Sequence, residues 1–154
     1  MRKEDFEEEL IESIIKSVNL SIDGIKFLND SSINHLGVPI PNGALSRIFH
    51  DSILFQLKRQ NNFGNALDKI SDFSYKGERW ELKTSRTKND VGINAVNILE
   101  KVKILIVNSI PEKGQIFQIR ILDSRDRYFN QNRAGTQIRT LNEEGKSKTI
   151  KIYP

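Results

Sequence analysis

The sequence predicts an α+β or α/β fold in which a central mixed β-sheet is flanked by helices. Two observations support this class. Apolar residues recur at helical spacing in two segments before about residue 59, and they alternate with a period of two from residue 69 onward. The length of 154 residues is sufficient to bury a core, so we expect one domain over residues 1–154.

The first helix is predicted from Lys3 to about Val18 because its apolar residues fall three and four positions apart. They are Phe6, Leu10, Ile11, Ile14, Ile15 and Val18. The glutamates at positions 7–9 suit the positive end of the helix dipole. Residues 19–44 contain Gly24, Gly37, Pro39 and Pro41, and we expect this segment to be irregular.

A second helix is predicted from Gly43 to about Arg59, with Asn42 as its N-terminal cap. Its buried residues are expected to be Leu45, Phe49, Ile53 and Leu57. His50 lies outside this apolar stripe, so we expect a surface histidine. Gln60 to Gly64 is predicted to be a loop.

The rest of the chain is predicted to be mainly strands, because β-type alternation and turn residues follow one another. The predicted elements are a hairpin over residues 69–85, a short helix Asn94–Lys101, an interior strand Lys103–Ile110, a turn Pro111–Gly114, a strand Gln115–Asp123, a polar stretch Ser124–Gly135, and a final hairpin of Thr136–Leu141 with Lys148–Tyr153 around Asn142–Gly145.

The composition excludes several classes of site. The chain has no cysteine, which excludes disulfides, thiolate zinc sites and cysteine nucleophiles, and its two histidines leave little for a histidine-based metal site. The start, MRKEDFEEEL, is acidic where a signal peptide is basic and then apolar, and the chain lacks the apolar run of about eighteen residues that a membrane span needs. We therefore expect a soluble, cytoplasmic protein without a membrane partner.

The charge of the chain is unevenly distributed. Residues 1–77 carry nine Lys and Arg against eleven Asp and Glu, whereas residues 78–154 carry fifteen against nine. A basic C-terminal half is typical of proteins that bind a polyanion such as nucleic acid. A solvated basic surface explains the charge alone equally well.

The predicted hairpin contains the segment DFSYKGERWELKTS, residues 72–85, with an unusual set of polar residues. Acid-x-lysine triplets occur twice in the chain, as Glu81-Leu82-Lys83 and as Glu144-Gly145-Lys146. The second lies in a predicted turn, where such residues are common. In the first, the strand period places Glu81 and Lys83 together on the face opposite Trp80 and Leu82.

A two-residue turn at Lys76-Gly77 would pair Phe73 with Trp80 and Asp72 with Glu81. Carboxylates facing each other at about 5 Å repel by ~1 kcal/mol, and a divalent cation such as Mg²⁺ or Mn²⁺ can compensate them. Lys83 would then reach a metal-bound water or a phosphate. Ordinary cross-strand ion pairs with Arg79 and Lys83 remain an alternative. A slip of the register would instead favour the acids Asp68 and Glu78.

The segment Asp72…Glu81-Leu82-Lys83-Thr84 resembles the Asp…(Asp/Glu)-x-Lys signature of the PD-(D/E)xK restriction-endonuclease-like nuclease superfamily. Its spacing is similar to that of small homodimeric type II restriction enzymes, and the block also looks like that of mismatch-repair nicking endonucleases. The close resemblance covers residues 68–88 only. No proline precedes Asp72, and Asp51 is the only acid on the preceding predicted helix.

The resemblance implies a Mg²⁺-dependent DNA endonuclease, with Mn²⁺ as a possible substitute and no small-molecule cofactor. Asp72 and Glu81 would bind the metal, and Lys83 would orient or help deprotonate the attacking water. The products would be 5′-phosphate and 3′-hydroxyl ends. The residues expected to contact backbone phosphates follow the strand: they are Thr84, Ser85, Arg86 and Lys88.

Residues 125–139 are rich in Arg, Asn and Gln, which make bidentate contacts to guanine and adenine edges. The candidate recognition residues are Arg125, Arg127, Asn130, Gln131, Asn132, Arg133, Gln137 and Arg139. A polar loop followed by a solvent-facing strand is the alternative, and Tyr128 and Phe129 would anchor that loop to the core. Cutting both strands of a duplex requires two sites, so we expect a homodimer with its interface on the N-terminal helices.

The leading hypothesis is a single nuclease domain of the type II restriction class. A Holliday-junction resolvase is its closest rival, and a nicking enzyme would use the same chemistry. Outside enzymes, the alternative is a nucleic-acid-binding module in which the hairpin acids are structural. Metal dependence distinguishes these classes. A protein whose carboxylates bind Mg²⁺ gains stability and DNA affinity from the ion, whereas a binding module with structural acids gains neither.

Overall fold

The computed structural model describes residues 2–154, which form four α-helices and eight β-strands. The helices are α1 (Glu8–Leu36), α2 (Asn42–Lys58), α3 (Ala95–Leu99) and α4 (Glu143–Lys148). The strands are β1 (Phe63–Asn65), β2 (Phe73–Tyr75), β3 (Glu78–Ser85), β4 (Gly92–Asn94), β5 (Lys103–Ile110), β6 (Gln115–Asp123), β7 (Ile138–Thr140) and β8 (Ile150–Tyr153).

The centre of the fold is a six-stranded mixed sheet with the order β1-β2-β3-β5-β6-β8. Strands β3 and β5 are parallel, and all the other neighbours in this sheet are antiparallel. The chain crosses from β3 to β5 through β4 and α3, because a parallel pair cannot be joined by a tight turn. The predicted mixed sheet flanked by helices is therefore confirmed.

Helices α1 and α2 cover one face of the sheet. Their apolar stripes pack on Trp80 and Leu82 of β3 and on Leu105 and Val107 of β5, all of which are fully buried. Each such side chain contributes roughly 1.5–3 kcal/mol when it leaves water. The opposite face is covered by α3, by the small antiparallel β4-β7 sheet and by the segment around Tyr128.

The first helix is much longer than predicted. It begins at Glu8 and continues to Leu36, through residues that we expected to be irregular. Its buried stripe runs on through Ile22 and Ile25 to Asn29, and Gly24 lies on an exposed position where it does not interrupt the helix. The helix ends at Gly37, whose φ of 74° favours glycine.

The second helix was predicted to within one residue at each end, but its cap was wrong. Pro41 occupies the N-cap position and Asn42 is the first helical residue, so the Asn42 side chain makes no cap hydrogen bond. The loop predicted over Gln60–Gly64 is only partly a loop, since β1 begins at Phe63 and pairs with β2.

Strands β5 and β6 have the predicted bounds, and α3 lies within the predicted helix Asn94–Lys101. The final hairpin was wrong: β7 pairs with β4, β8 pairs with β6, and residues 143–148 between them are helical. The Asn142 side chain accepts a hydrogen bond from the Gly145 N–H at 2.8 Å, which caps α4 and converts the expected turn into a helix. Within residues 2–154, no helix is both long and apolar enough to cross a membrane.

Candidate active site

The hairpin of β2 and β3 has the predicted register. Phe73 pairs with Trp80 and Tyr75 with Glu78 across a turn at Lys76-Gly77, where both φ angles are positive. Beyond this ladder the Asp72 N–H donates to the Trp80 carbonyl at 2.8 Å, which brings Asp72 beside β3. The register has not slipped. Asp68 and Glu78, the acids that a slip would have favoured, form ion pairs outside the site: Asp68 lies 2.8 Å from Arg79, and Glu78 lies 2.8 Å from Lys103.

The strand alternation places Glu81 and Lys83 on the sheet face that carries α3. Glu81 pairs with Ile104 and Lys83 with Ile106, and both isoleucines belong to the apolar cluster on that face. The Lys83 Nζ lies 3.3 Å from the Glu81 Oε1. The predicted sharing of one face by the acid and the lysine is therefore present.

Glu81 is a buried acid with incomplete hydrogen bonding. It is 8% exposed, and its Oε2 has no hydrogen-bond partner within residues 2–154. Burial and the neighbouring Asp72 carboxylate raise the pKa of Glu81 to about 7, although the charge of Lys83 opposes them. A buried carboxylate oxygen without a donor is costly and suits a cation.

Asp72 is held in its ionised form by donors on two sides. Its Oδ2 accepts from the Leu82 N–H at 2.9 Å and lies 3.6 Å from the His50 Nε2. Burial opposes ionisation, but the nearby His50 imidazole and the hydrogen bond from the Leu82 N–H outweigh it, so the pKa of Asp72 is lowered. The two facing acids therefore differ: Asp72 is ionised at neutral pH, whereas Glu81 still holds part of its proton.

His50 is half-buried and lies beside Asp72, which corrects the expectation of a surface histidine. Its Nε2 faces the Leu82 carbonyl at 3.1 Å, and its Nδ1 faces the Asp51 Oδ1 at 3.2 Å. Both ring nitrogens thus face acceptors, and the nearby Asp72 carboxylate raises the pKa of the imidazole most. The protonated ring, with two N–H donors, satisfies these contacts.

No local signal in the sequence indicates the role of His50, because only the packing of α2 against β3 brings it to Asp72. Asp51, the acid of the preceding helix, lies between His50 and Arg47, whose Nε is 3.0 Å from it. Asp51 is more than half exposed and orients the imidazole on the side away from Asp72.

The residues fit a divalent cation held by few protein ligands. Asp72 and Glu81 supply oxygen donors, and the Glu81 Oε2 is free to bind. No group of three or more His, Cys, Asp or Glu residues suited to a metal ion occurs among residues 2–154. Mg²⁺ keeps several waters and is often held by one or two carboxylates, so two acids are sufficient for such a site.

The candidate phosphate-contacting residues at the end of β3 and after it differ in exposure. Thr84 and Ser85 are half-buried at the end of β3, and Lys88 is exposed. Arg86 forms a bidentate ion pair with Glu112, which occupies its guanidinium.

Seven of the eight candidate recognition residues are exposed on the segment 125–137. Tyr128 and Phe129 of the same segment are buried and anchor it to the core, as predicted. The exposed ones are Arg125, Arg127, Asn130, Gln131, Asn132, Arg133 and Gln137. Arg139 is the exception. It is buried, donates to the backbone carbonyls of Phe129 and Asn130, and pairs with Asp126 at 2.6 Å, so it holds the segment in place and is not free to contact a base.

Comparison with known proteins gives no family for this chain. A scan against protein-family models finds no match, and a search of curated proteins finds no matching relative.

Proposed function

We propose that this protein is a metal-dependent DNA endonuclease with a restriction-endonuclease-like core, acting as a sequence-specific enzyme of the type II restriction class. One observation carries the proposal: Glu81 has a buried, unpartnered oxygen and lies close to the Asp72 carboxylate, with Lys83 beside Glu81 on the same strand. The mixed sheet, with helices α1 and α2 ahead of the hairpin, supports the same superfamily.

Asp72 and Glu81 would hold Mg²⁺, or Mn²⁺ in its place. When bound, the ion would offset negative charge on the phosphate and lower the pKa of a water molecule. His50 and the Leu82 N–H keep Asp72 ionised and correctly oriented for this role. The fit depends on the carboxylates alone, because the His50 Nε2 donates to the Leu82 carbonyl and is not a ligand.

Lys83 acts on the attacking water. The Lys83 Nζ lies 3.3 Å from the Glu81 Oε1 on the face where substrate would bind, so its ammonium can orient the water and stabilise the hydroxide that forms, while the proton passes to solvent. Attack in line with the departing 3′ oxygen gives 5′-phosphate and 3′-hydroxyl ends. Thr84, Ser85 and Lys88 follow directly along the chain and would contact backbone phosphates.

The exposed Arg, Asn and Gln side chains of segment 125–137 would read base edges in double-stranded DNA. A homodimer would supply the second site that a double-strand cut requires. Neither base recognition nor dimer formation would require a small-molecule cofactor.

Cleavage assays with a matched pair of variants test this function. Wild type, Lys83→Ala and Lys146→Ala are incubated with unmethylated phage DNA, plasmid DNA and a four-way junction, with Mg²⁺ or with EDTA. We expect discrete duplex fragments with Mg²⁺ from the wild type and from Lys146→Ala, and none from Lys83→Ala. Cleavage of the junction alone would replace the restriction assignment with a resolvase, and cleavage in EDTA or by Lys83→Ala would contradict the proposed site.

A further inference from the structure

Arg120 of β6 is a buried cation that forms no ion pair within residues 2–154, although the charge of Asp90 lies nearby. It is 3% exposed, its Nε has no hydrogen-bond partner, and no carboxylate within residues 2–154 forms an ion pair with it. Burial lowers the pKa of its guanidinium and the Asp90 carboxylate offsets this in part, and arginine stays charged in proteins. Burying a charge without a direct ion pair is costly, so this residue needs an explanation beyond packing.

The contacts of Arg120 belong to a row of side chains that hold one loop. Its Nη2 donates to the Asn108 Oδ1 at 2.9 Å and lies 3.3 Å from the Asn89 carbonyl. Asn108 donates to the Asp90 carbonyl at 3.0 Å, and Gln118 donates to the Lys88 carbonyl at 2.9 Å. Three consecutive carbonyls, those of residues 88–90, are therefore bound by side chains of β5 and β6.

This row lies on the face of the candidate active site. Lys83 is in register with Ile106, which is in register with Arg120, so the two cations share a face two strands apart, a backbone separation of about 10 Å. The loop of residues 86–91 begins where the catalytic strand ends, and it folds back across this face.

Because the carbonyls of residues 88–90 point towards the sheet, loop 86–91 presents N–H groups and the Lys88 side chain on its outer side. Lys88 is exposed and forms no ion pair within the part of the chain that the structure describes. The N–H groups of Lys88 and Asn89 have no acceptor within the same residues. The carboxylate of the loop, Asp90, accepts from the adjacent Val91 N–H. An ammonium group beside free backbone N–H groups is suited to a phosphate.

We propose that Arg120 is a positioning residue that, with Asn108 and Gln118, fixes loop 86–91 so that Lys88 and its neighbouring N–H groups bind a backbone phosphate of the DNA. This inference rests on the proposed function. Arg120 itself does not touch the DNA: it acts through the carbonyls that it binds.

A second buried arginine provides a matched control. Arg139 also binds backbone carbonyls of a loop, those of Phe129 and Asn130, but it is neutralised by Asp126 and holds a different segment. Any effect of removing the Arg139 guanidinium on DNA affinity should therefore be independent of Lys88.

The test measures binding of a fluorescein-labelled duplex in EDTA by anisotropy over a series of salt concentrations. The variants are Lys88→Ala, Arg120→Met, the double variant, and Arg139→Met with and without Lys88→Ala. We expect Lys88→Ala and Arg120→Met each to weaken binding roughly three- to tenfold and to reduce the salt slope by about one phosphate contact. The double variant should bind no more weakly than Arg120→Met, whereas Arg139→Met and Lys88→Ala should be additive.

Gln118→Met is a second variant in case Arg120→Met fails to fold, because it removes only the bond to the Lys88 carbonyl. It should reduce the salt slope in the same way as Lys88→Ala. Additive effects of Arg120→Met and Lys88→Ala, or an unchanged slope in folded Gln118→Met, would overturn the inference. If the inference is overturned but the wild type in the same preparation cleaves duplex DNA, the proposed function stands. A wild type that neither binds nor cuts DNA would refute the inference and the proposed function together.

Discussion

The two acid-x-lysine triplets of this chain have the same chemical groups in opposite surroundings. Glu81 and Lys83 lie on an interior strand, where Glu81 is buried and faces Asp72. Glu144 and Lys146 lie on α4, where the Glu144 side chain is 46% exposed and lies 3.3 Å from Arg127. Only the first triplet has an oxygen that water cannot reach and no donor satisfies. Burial therefore distinguishes a candidate catalytic motif from a chance match.

The second triplet has a structural explanation of its own. Gly145, its middle residue, lies against the backbone of Tyr128, and a Cβ at this position would collide with the Tyr128 carbonyl oxygen. The glycine is needed for close packing of α4, and the charges beside it are solvated.

The largest expected difference between the triplets is in catalysis. Lys83→Ala should lower kcat for DNA cleavage at least roughly 100-fold, because it removes the group that we propose acts on the attacking water. Lys146→Ala should leave the rate within about twofold. Single-turnover cleavage measures both, and equal losses would show that position within the fold does not matter.

In the second triplet, the expected effect of substitution is on the stability of the folded protein and not on catalysis. Gly145→Ala should destabilise the protein by roughly 1–3 kcal/mol, since the added methyl group has to displace the Tyr128 backbone. Urea unfolding followed by circular dichroism checks this, with Gly24→Ala as a control at an open, exposed helical position. An unchanged midpoint for Gly145→Ala would contradict the packing described here.

Substitution of His50 should have a smaller effect than substitution of Lys83, because in the proposed site His50 orients Asp72 and does not touch the reacting groups. His50→Ala should lower cleavage roughly tenfold, as is usual for residues that orient a ligand, and His50→Gln should lose less because an amide can still donate to Asp72 or Leu82. The Mg²⁺ concentration that gives half-maximal cleavage should rise in parallel. Equal activity of wild type and His50→Ala would exclude this role.

The smallest effect concerns pH. The folded state holds the Glu81 proton up to about pH 7, whereas the unfolded chain releases it near its ordinary pKa of 4.5. Metal-free stability should therefore fall as pH rises through this window, and Glu81→Gln should remove that dependence. Because a cation must displace the proton, Mg²⁺ affinity should rise about threefold from pH 6.5 to pH 7.5. Calorimetric titration at both pH values measures the difference, and a flat profile would contradict the raised pKa.

The parts of the site that the sequence predicts are those specified by local patterns. The Lys76-Gly77 turn and the alternation around Trp80 set the hairpin register, and this register brings Asp72 to Glu81. The apolar runs of β5 and β6 are similarly unambiguous, because interior strands have few alternatives.

The missed features depend on contacts between distant segments. Buried Ser17 and Ser21 interrupt the apolar stripe of α1 and hide its continuation beyond Val18. Strand β7 pairs with β4 about 45 residues earlier, a partner that no turn signal indicates. His50 and Arg120 acquire their roles only through packing against β3 and loop 86–91.

Metal binding by matched variants tests the central claim without knowledge of the DNA substrate. Thermal unfolding of wild type, Glu81→Gln and Glu144→Gln is followed at pH 7.5 over a titration with Mg²⁺ and with Mn²⁺. We predict that the melting temperature of wild type and Glu144→Gln rises with metal concentration and that Glu81→Gln does not respond, because a ligand that binds only the folded state stabilises it. An equal rise in all three proteins, or no rise in the wild type, would contradict a metal site at Asp72 and Glu81.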